Sequence, residues 1–140
     1  MTARKRSNAP DDGSVRALAV LAAREAVDRR AQDVVLLDLK GLTTATDFFV
    51  IASGESDVQV RALAERIEAR LTEEEGRKPW HVEGQRHAQW VLLDYVDFVV
   101  HVFHQEARRY YEIERLWGDA PSESFNGHPP ASEAIELHGN

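Results

Sequence analysis

The sequence predicts an α/β protein with a small mixed β-sheet packed with helices. Two observations indicate this fold class. Stretches with apolar residues at helical spacing alternate with short β-branched runs, and their order is helix, strand, strand, helix, two or three strands, helix. The chain of 140 residues has the length of one domain. A domain of this size buries about two-thirds of its unfolded-chain surface, so it needs no disulfide or metal to hold a core.

The first predicted element is an amphipathic helix. Residues 1–13 are polar and are predicted to form a disordered arm. Ser14 can cap a helix that begins near Val15 and ends near Arg30. Its apolar stripe consists of Val15, Leu18, Ala19, Ala22 and Ala26.

Two strands and a second helix follow. The run "VVLLDL" (34–39) and the run "DFFVIAS" (47–53) are separated by a link too short for a parallel crossover, so an antiparallel pair is predicted. Ser56 and Gln59 have the spacing of a capping box. The helix that they begin should stop before "EEEGRKP". Its stripe consists of Val60, Leu63, Ala64, Ile67 and Leu71.

The C-terminal part of the domain is predicted to add strands and one helix. "WHVEG" (80–84) is a short strand candidate, and Gln89–Tyr95 and Asp97–Phe103 are stronger ones. Gln105–Trp117 returns to helical spacing through Ala107, Tyr110, Ile113 and Trp117.

The predicted domain spans residues 14–118. Residues 119–140 contain several prolines and serines and little apolar content. This composition is typical of a disordered tail.

Composition excludes several classes of protein. The chain has no cysteine, which excludes disulfides and thiolate metal sites. No stretch reaches the ~20 apolar residues of a membrane span, and a cytoplasmic location is expected. The net charge is -7, whereas binding to the nucleic-acid backbone depends on Lys and Arg. We therefore expect a basic protein partner and no direct, specific binding of nucleic acid.

The two histidines of "HVFH" do not predict a metal site. His101 and His104 are three positions apart, and residues three apart in a strand point to opposite faces. At strand rise they lie roughly 10 Å apart, too far to share one ion. We expect His101 to be partly buried in the strand and His104 to lie near the next helix N-terminus, with no metal and no cofactor.

The turn "ASGESD" does not predict a catalytic residue either. Ser53 and Ser56 lie at a strand-to-helix turn, but no base can be assigned to either hydroxyl. Gly54 precedes a helix N-terminus, where free N–H groups favour an anion. Glu55 and Asp57 would repel a phosphate at that position.

The stretch around "DYVD" predicts a hairpin with an unusual outer face. Only a tight loop fits between the flanking strands, and Asp94 and Asp97 at its tip are typical turn residues. Alternation places Trp90, Leu92 and Asp94 on one face. The opposite face carries Val91, Leu93 and Tyr95. A large aromatic side chain beside acids is typical of a protein-binding hot spot, but the same periodicity fits Trp90 as a core residue, and both roles stay open.

Five separated blocks of the chain resemble one known family. In order they are "DVVLLDL", "DFFVIASGESDVQVRALAERIE", "EG", "WVLLDYVDFVVHVF" and "RRYYEIERLWGDA". At this spacing they are similar to the ribosomal silencing factor family, also called the Iojap family. The resemblance covers residues 15–120, and the two ends of the chain lie outside it.

The resemblance implies a non-enzymatic regulator. It implies a nucleotidyltransferase-like shape without the catalytic carboxylates, in agreement with Gln59 breaking the carboxylate pair after Asp57. Members are expected to bind the large ribosomal subunit through ribosomal protein L-fourteen, to block joining of the small subunit and to repress translation under nutrient limitation. A large-subunit maturation adaptor and a degenerate nucleotidyltransferase remain alternatives. An apolar sheet face could also form a homodimer of the free protein.

The resemblance places the partner-binding site on the hairpin, at Trp90, Leu92, Asp94, Tyr95 and Asp97. Trp90 and Tyr95 would be aromatic anchors, and the two acids would pair with Lys or Arg. Leu92 would supply an apolar contact.

One departure from the family lies at the hairpin tip. Many relatives have glycine where this chain has Val96. A two-residue hairpin often needs a positive φ, which is unfavourable for a β-branched residue. A different type of turn is therefore expected.

Overall fold

The computed structural model describes residue 4 and residues 12–126. In chain order the elements are α1 (Asp12–Asp28), β1 (Gln32–Asp38), β2 (Phe48–Gly54), α2 (Asp57–Glu75), β3 (His81–Glu83), β4 (Trp90–Asp94), β5 (Phe98–His104), α3 (Gln105–Tyr111), α4 (Ile113–Leu116) and β6 (Ser122–Ser124). The strands form a six-stranded sheet in the order β3-β4-β5-β2-β1-β6. The predicted fold class, a mixed sheet packed with helices, is confirmed.

The sheet combines one parallel pairing with antiparallel neighbours. β2 and β5 are parallel at its centre, whereas β1 pairs antiparallel with β2 and β4 pairs antiparallel with β5. The short links after β1 and β4 permit only these antiparallel pairings. The long connection from β2 to β5 allows the parallel one. Both predicted antiparallel pairs are confirmed.

Two long helices cover one face of the sheet. The stripes predicted for α1 and α2 are buried in full, and they pack with the core side chains of β2, β4 and β5. Val91, Leu93 and Tyr95 belong to this core. The period-two pattern of β4 therefore assigns its inner face correctly.

A smaller core lies on the opposite face. Its buried members are Val35, Leu37, Leu39, Ile51, Phe103 and Ile113. Phe49, Trp90 and Trp117 pack against it and are only partly buried. The short helices α3 and α4 therefore leave part of this face open beside the hairpin.

The ends of α2 follow from local sequence. Ser56 Oγ accepts a hydrogen bond from the Gln59 N–H at 3.1 Å, and Gln59 Oε1 accepts one from the Glu55 N–H at 2.7 Å. The predicted capping role of Ser56 is confirmed. Gly76, with φ 64°, ends the helix in a left-handed cap. The helix therefore continues through Glu75, and the prediction that it stops before "EEEGRKP" is wrong by those three glutamates.

The first helix also differs from its prediction. It includes residues from Asp12 onward, so Ser14 lies inside the first turn and does not serve as the N-cap. Serine is a suitable N-cap residue. Asp12 and Gly13, which precede it, are helical, so the helix begins before Ser14. The remainder of the predicted arm, apart from Arg4, lies outside the described residues.

The predicted single helix 105–117 is wrong, because it is broken at Glu112. That residue has φ 47° and separates α3 from α4. After the break, the side chain of Ile113 packs in the smaller core and is 6% exposed, whereas Tyr110 is 80% exposed. Tyr110 therefore does not lie on the packing stripe that the spacing predicts.

The first part of the predicted disordered tail forms a strand, so the prediction of disorder is wrong there. Ser122, Glu123 and Ser124 pair antiparallel with Leu37, Leu36 and Val35 of β1. Arg16 of α1 forms an ion pair with Glu123. This segment is polar because it lies at a sheet edge, where backbone hydrogen bonds rather than apolar side chains hold it. Residues 127–140 lie outside the described part of the chain.

Candidate protein-binding surface

The outer face of the hairpin carries a continuous set of side chains, which we call the hairpin face. It consists of Trp90, Leu92 and Asp94 on β4 and their cross-strand neighbours Phe103, His101 and Val99 on β5. The three β4 residues are partly exposed, whereas the three β5 residues are buried. β4 therefore presents a row of aromatic, aliphatic and acidic side chains over an apolar base.

Trp90 is held in place by several contacts. Its ring stacks on Phe103 with 4.8 Å between centroids and lies 5.0 Å from the ring of Tyr111. Its Nε1–H donates to His101 Nδ1 at 3.0 Å. Part of the Trp90 side chain therefore packs against the smaller core and part of it is accessible, and its role as a binding anchor stays a prediction.

The backbone at Gly84 passes so close to the Trp90 carbonyl that only glycine fits. Gly84 has φ +85°, and a Cβ at that position would lie 1.9 Å from the backbone carbonyl oxygen of Trp90. No side chain fits there. The close approach sets where β4 begins relative to β3.

His101 acts as a neutral acceptor within the strand. It is 4% exposed, more buried than predicted. Burial lowers its pKa to about 3, and the nearby Asp94 carboxylate offsets only part of that effect. Because Nδ1 accepts from Trp90, the proton of the neutral ring is on Nε2, and Nε2 has no partner among the described residues.

His104 has a separate structural role. It lies at the N-terminus of α3, as predicted, and its Nδ1 caps the helix by accepting from the Glu106 N–H at 3.2 Å. Within residue 4 and residues 12–126, no group of three or more His, Asp or Glu side chains is placed to hold a metal ion. The Nδ1 atoms of the two "HVFH" histidines have separate partners, the Trp90 indole and the Glu106 N–H.

Asp94 lies at the tip of the hairpin face and is 13% exposed at its side chain. Its Oδ1 accepts from the Val96 N–H at 2.8 Å. Its carboxylate also receives the guanidinium of Arg4, with Arg4 Nε 2.8 Å from Asp94 Oδ2. This contact was not predicted, because Arg4 belongs to the arm that was expected to be disordered.

The turn has the positive φ that is unfavourable for valine, contrary to the expectation of a different type of turn. Val96 has φ 74°. The Asp97 N–H donates to the Tyr95 carbonyl at 2.9 Å, and the Tyr95 N–H donates to the Phe98 carbonyl at 3.0 Å. A bond between residues two apart with a positive φ at the central residue is the rare, strained form of the γ-turn. The hairpin therefore has a two-residue loop in which Val96 adopts an unfavourable left-handed backbone conformation.

Tyr95 and Asp97 do not reach the hairpin face. Tyr95 is 2% exposed and stacks on Phe98 with 4.7 Å between ring centroids, on the side of the sheet covered by α1 and α2. Asp97 is 6% exposed, and its backbone carbonyl accepts from the Asp47 N–H. Their predicted surface roles are wrong for this conformation, because alternation turns Tyr95 inward and the tight turn buries Asp97.

A shallow groove of about 170 Å³ extends the hairpin face toward β1 and β2. Leu92, Val99 and His101 form one side, and Phe49 and Trp117 line it as well. Phe49 and Trp117 were not predicted to be surface residues. The parallel register that places Phe49 beside Val99 joins strands far apart in the chain, so no local pattern signals it.

Exposed aromatic residues continue the surface on the other side of Trp90. Tyr111 is 51% exposed, and its ring lies 5.0 Å from that of Tyr110. Aromatic side chains are enriched in protein interfaces, where they supply large contact areas. The tyrosine pair was visible in the sequence, but the contact of Tyr111 with Trp90 joins two separate elements, α3 and β4, and no local pattern predicts it.

The turn at Gly54 shows a capping arrangement. Glu55 accepts from Gln32 Nε2 at 2.6 Å, and Asp57 Oδ1 accepts from the Val58 N–H at 2.9 Å. Both carboxylates are exposed and engaged locally. The turn gives no support to a nucleotide site.

None of the described helices is long and apolar enough to cross a membrane.

Comparison with known proteins decides the family. The family model described as "Ribosomal silencing factor during starvation" matches residues 12–138. The chain belongs to the ribosomal silencing factor family. It is 46% identical over 101 residues to the ribosomal silencing factor of Bacillus subtilis, covering 72% of this chain and 85% of that protein.

Further relatives agree with this assignment. The ribosomal silencing factor of Halalkalibacterium halodurans is 43% identical over 107 residues, covering 76% of this chain and 91% of the relative. A crystal structure of a Chromobacterium violaceum protein superposes with a TM-score of 0.70 at 34% identity, covering 87% of this chain and 92% of that one. The resemblance inferred from the five sequence blocks is confirmed.

Proposed function

We propose that this protein binds the large ribosomal subunit through ribosomal protein L-fourteen and sterically blocks association with the small subunit, repressing translation under nutrient limitation. The observation that carries the proposal is the exposure pattern of β4. Trp90, Leu92 and Asp94 are all partly exposed on one face of a well-packed hairpin. An anchored aromatic, an aliphatic side chain and a carboxylate in one row suit a basic, partly apolar protein surface.

The charge of the chain supports the same partner. The net charge is -7, and a basic ribosomal protein would be attracted over distances up to the Debye length of about 10 Å. Such attraction speeds encounter and favours the correct partner. Steric exclusion of the small subunit needs affinity and bulk, and it requires no catalytic group.

Subunit association provides the test. Purified large and small subunits are mixed with increasing amounts of the protein, and joining is followed by light scattering. We expect a dose-dependent loss of joined ribosomes and co-sedimentation of the protein with the large subunit. Asp94→Arg should weaken both effects, because it reverses the charge on the hairpin face.

Glu65→Arg is the matched control, since it reverses the same charge at an exposed position of α2, on the other side of the sheet. Co-sedimentation with normal joining would replace silencing by the role of a large-subunit maturation adaptor. Failure of the wild-type protein to bind the large subunit would contradict the proposal altogether.

The homodimer of the free protein stays a prediction. The partly open hairpin face is the apolar surface that a second copy would cover. Sedimentation equilibrium of the free protein tests it, and a strictly monomeric protein would remove it.

A further inference from the structure

Arg4 contacts the hairpin tip from the opposite end of the chain. Its Nε donates to Asp94 Oδ2 at 2.8 Å, and its Nη2 donates to Asp94 Oδ1 at 3.3 Å. Nη2 also donates to the Val96 carbonyl oxygen at 3.2 Å. The guanidinium is thus held by both oxygens of one carboxylate and by a backbone carbonyl, an acceptor set that suits the planar fork of arginine.

The contact is shielded more than a typical surface ion pair. The Arg4 side chain is 30% exposed and the Asp94 side chain 13% exposed. Arg4 also lines the groove together with Leu92 and Trp117. Its aliphatic stem can therefore cover apolar surface while its charged head reaches the carboxylate.

Asp94 is the only acid of the hairpin tip that the structure leaves on the hairpin face, since Asp97 is buried. A cationic side chain of the ribosomal partner that pairs with Asp94 would need the position of the Arg4 guanidinium. The two contacts therefore compete for one carboxylate.

We propose that Arg4 is an internal competitor for the partner-binding surface, so that the free protein partly occupies its own binding site. This inference rests on the proposed function. Binding to the large subunit releases Arg4 from Asp94 and the Val96 carbonyl, and a basic side chain of the partner takes its place. The ion pair lowers the affinity of the protein for the ribosome without contributing to the interface.

The expected effect is modest. The Arg4 side chain is 30% exposed, so solvent screens part of its attraction to Asp94. Ion pairs that remain partly exposed are weak. Removing Arg4 should therefore tighten binding by roughly two- to five-fold, the range that such weak ion pairs allow.

The experiment compares dissociation constants for purified large subunits, using the full-length protein labelled outside the hairpin face. Arg4→Ala is expected to bind more tightly than wild type. Arg66→Ala removes the same charge from the opposite side of the molecule and should bind like wild type. Arg4→Lys, which keeps the charge but lacks the fork, should fall between wild type and Arg4→Ala.

Each of the other outcomes contradicts one step of the proposal. Equal affinity of Arg4→Ala and wild type overturns the competition while the proposed function stands. Weaker binding of Arg4→Ala also overturns it and makes Arg4 part of the interface. If no variant binds, the proposed function fails first.

A measurement without ribosomes tests the contact itself. The Val96 amide resonance should shift in Arg4→Ala, because the carbonyl of Val96 and the carboxylate bound to its N–H both lose the guanidinium. An unchanged Val96 resonance would overturn the inference independently of any ribosome.

Discussion

The indole N–H of Trp90 donates to Nδ1 of His101 at 3.0 Å, so the most prominent aromatic residue of the hairpin face is fixed by a buried, neutral histidine. The two residues are on neighbouring strands, and the ring of Trp90 also stacks on Phe103. The bond holds one edge of the indole toward the core and leaves the remainder accessible. A rigid aromatic side chain costs less entropy on binding than a mobile one, which favours Trp90 as an anchor.

The first prediction concerns the contribution of this bond to stability. Trp90→Phe keeps the stacking on Phe103 but leaves His101 Nδ1 without a donor. We expect the free energy of unfolding to fall by about 1–3 kcal/mol, as for other unsatisfied buried acceptors. Trp90→Ala should cost more than Trp90→Phe, because it also removes the stacking on Phe103. Urea unfolding followed by circular dichroism measures both.

Trp80 offers the matched control, since it is 42% exposed and is not part of the hairpin face. Trp80→Phe should change stability by less than about 0.5 kcal/mol. Equal costs at Trp80 and Trp90 would show that the bond to His101 contributes nothing.

The second prediction concerns the pH dependence of folding. The pKa of His101 is lowered to about 3 by burial, whereas an unfolded histidine has a pKa of about 6.5. Between these values the unfolded state binds a proton that the folded state excludes, so stability falls as the pH drops below about 6.5. One such group should cost about 2 kcal/mol between pH ~7 and pH ~5.

Urea unfolding at these two pH values tests this prediction. His101→Gln keeps an acceptor for the Trp90 N–H but cannot titrate, so its loss of stability on acidification should be smaller by about 2 kcal/mol. The same acid sensitivity in His101→Gln and wild type would contradict the assignment.

The third prediction concerns the strained turn. Val96 has φ 74°, a conformation that costs a non-glycine residue on the order of 1–3 kcal/mol. Glycine removes this strain but adds about 0.5–1 kcal/mol of unfolded-state entropy. We therefore expect Val96→Gly to raise the free energy of unfolding by about 1 kcal/mol. Val96→Ala keeps a Cβ, so its free energy of unfolding should rise less. A loss of stability in Val96→Gly would show that the turn is not strained.

Local patterns in the sequence predicted much of the fold and part of the candidate site. The period of two in β4 separated Trp90, Leu92 and Asp94 from Val91, Leu93 and Tyr95, and the structure has the same division. The buried stripe of α2 was likewise predicted residue by residue. These features succeed because they depend only on which residues share a face of one element.

The mistaken and missing residues depend on distant parts of the chain. Tyr95 was assigned to the surface by family resemblance, although alternation had placed it opposite Trp90. Phe49 reaches the groove through the parallel register of β2 and β5, and Arg4 reaches Asp94 across 90 residues. A polar strand such as β6 gives no apolar signal at all. Pairings of this kind are set by the assembled sheet and have no local signature.

The last prediction separates the two acids of the hairpin tip. Asp94 is on the hairpin face, whereas Asp97 is buried and 6% exposed. Asp94→Asn keeps an oxygen that can accept from the Val96 N–H but loses the charge offered to a basic partner. It should weaken binding to the large subunit by about tenfold, a typical loss for one charged contact in an interface.

Asp97→Asn supplies the contrast. It should lower stability, because it alters a buried carboxylate, and leave the affinity of the folded protein for the large subunit unchanged. Both substitutions are best measured in the Arg4→Ala background, where no internal ion pair complicates the comparison. Dissociation constants for large subunits, together with urea unfolding, decide the outcome. Weaker binding by Asp97→Asn with Asp94→Asn unaffected would place the partner on the opposite side of the hairpin, over Tyr95.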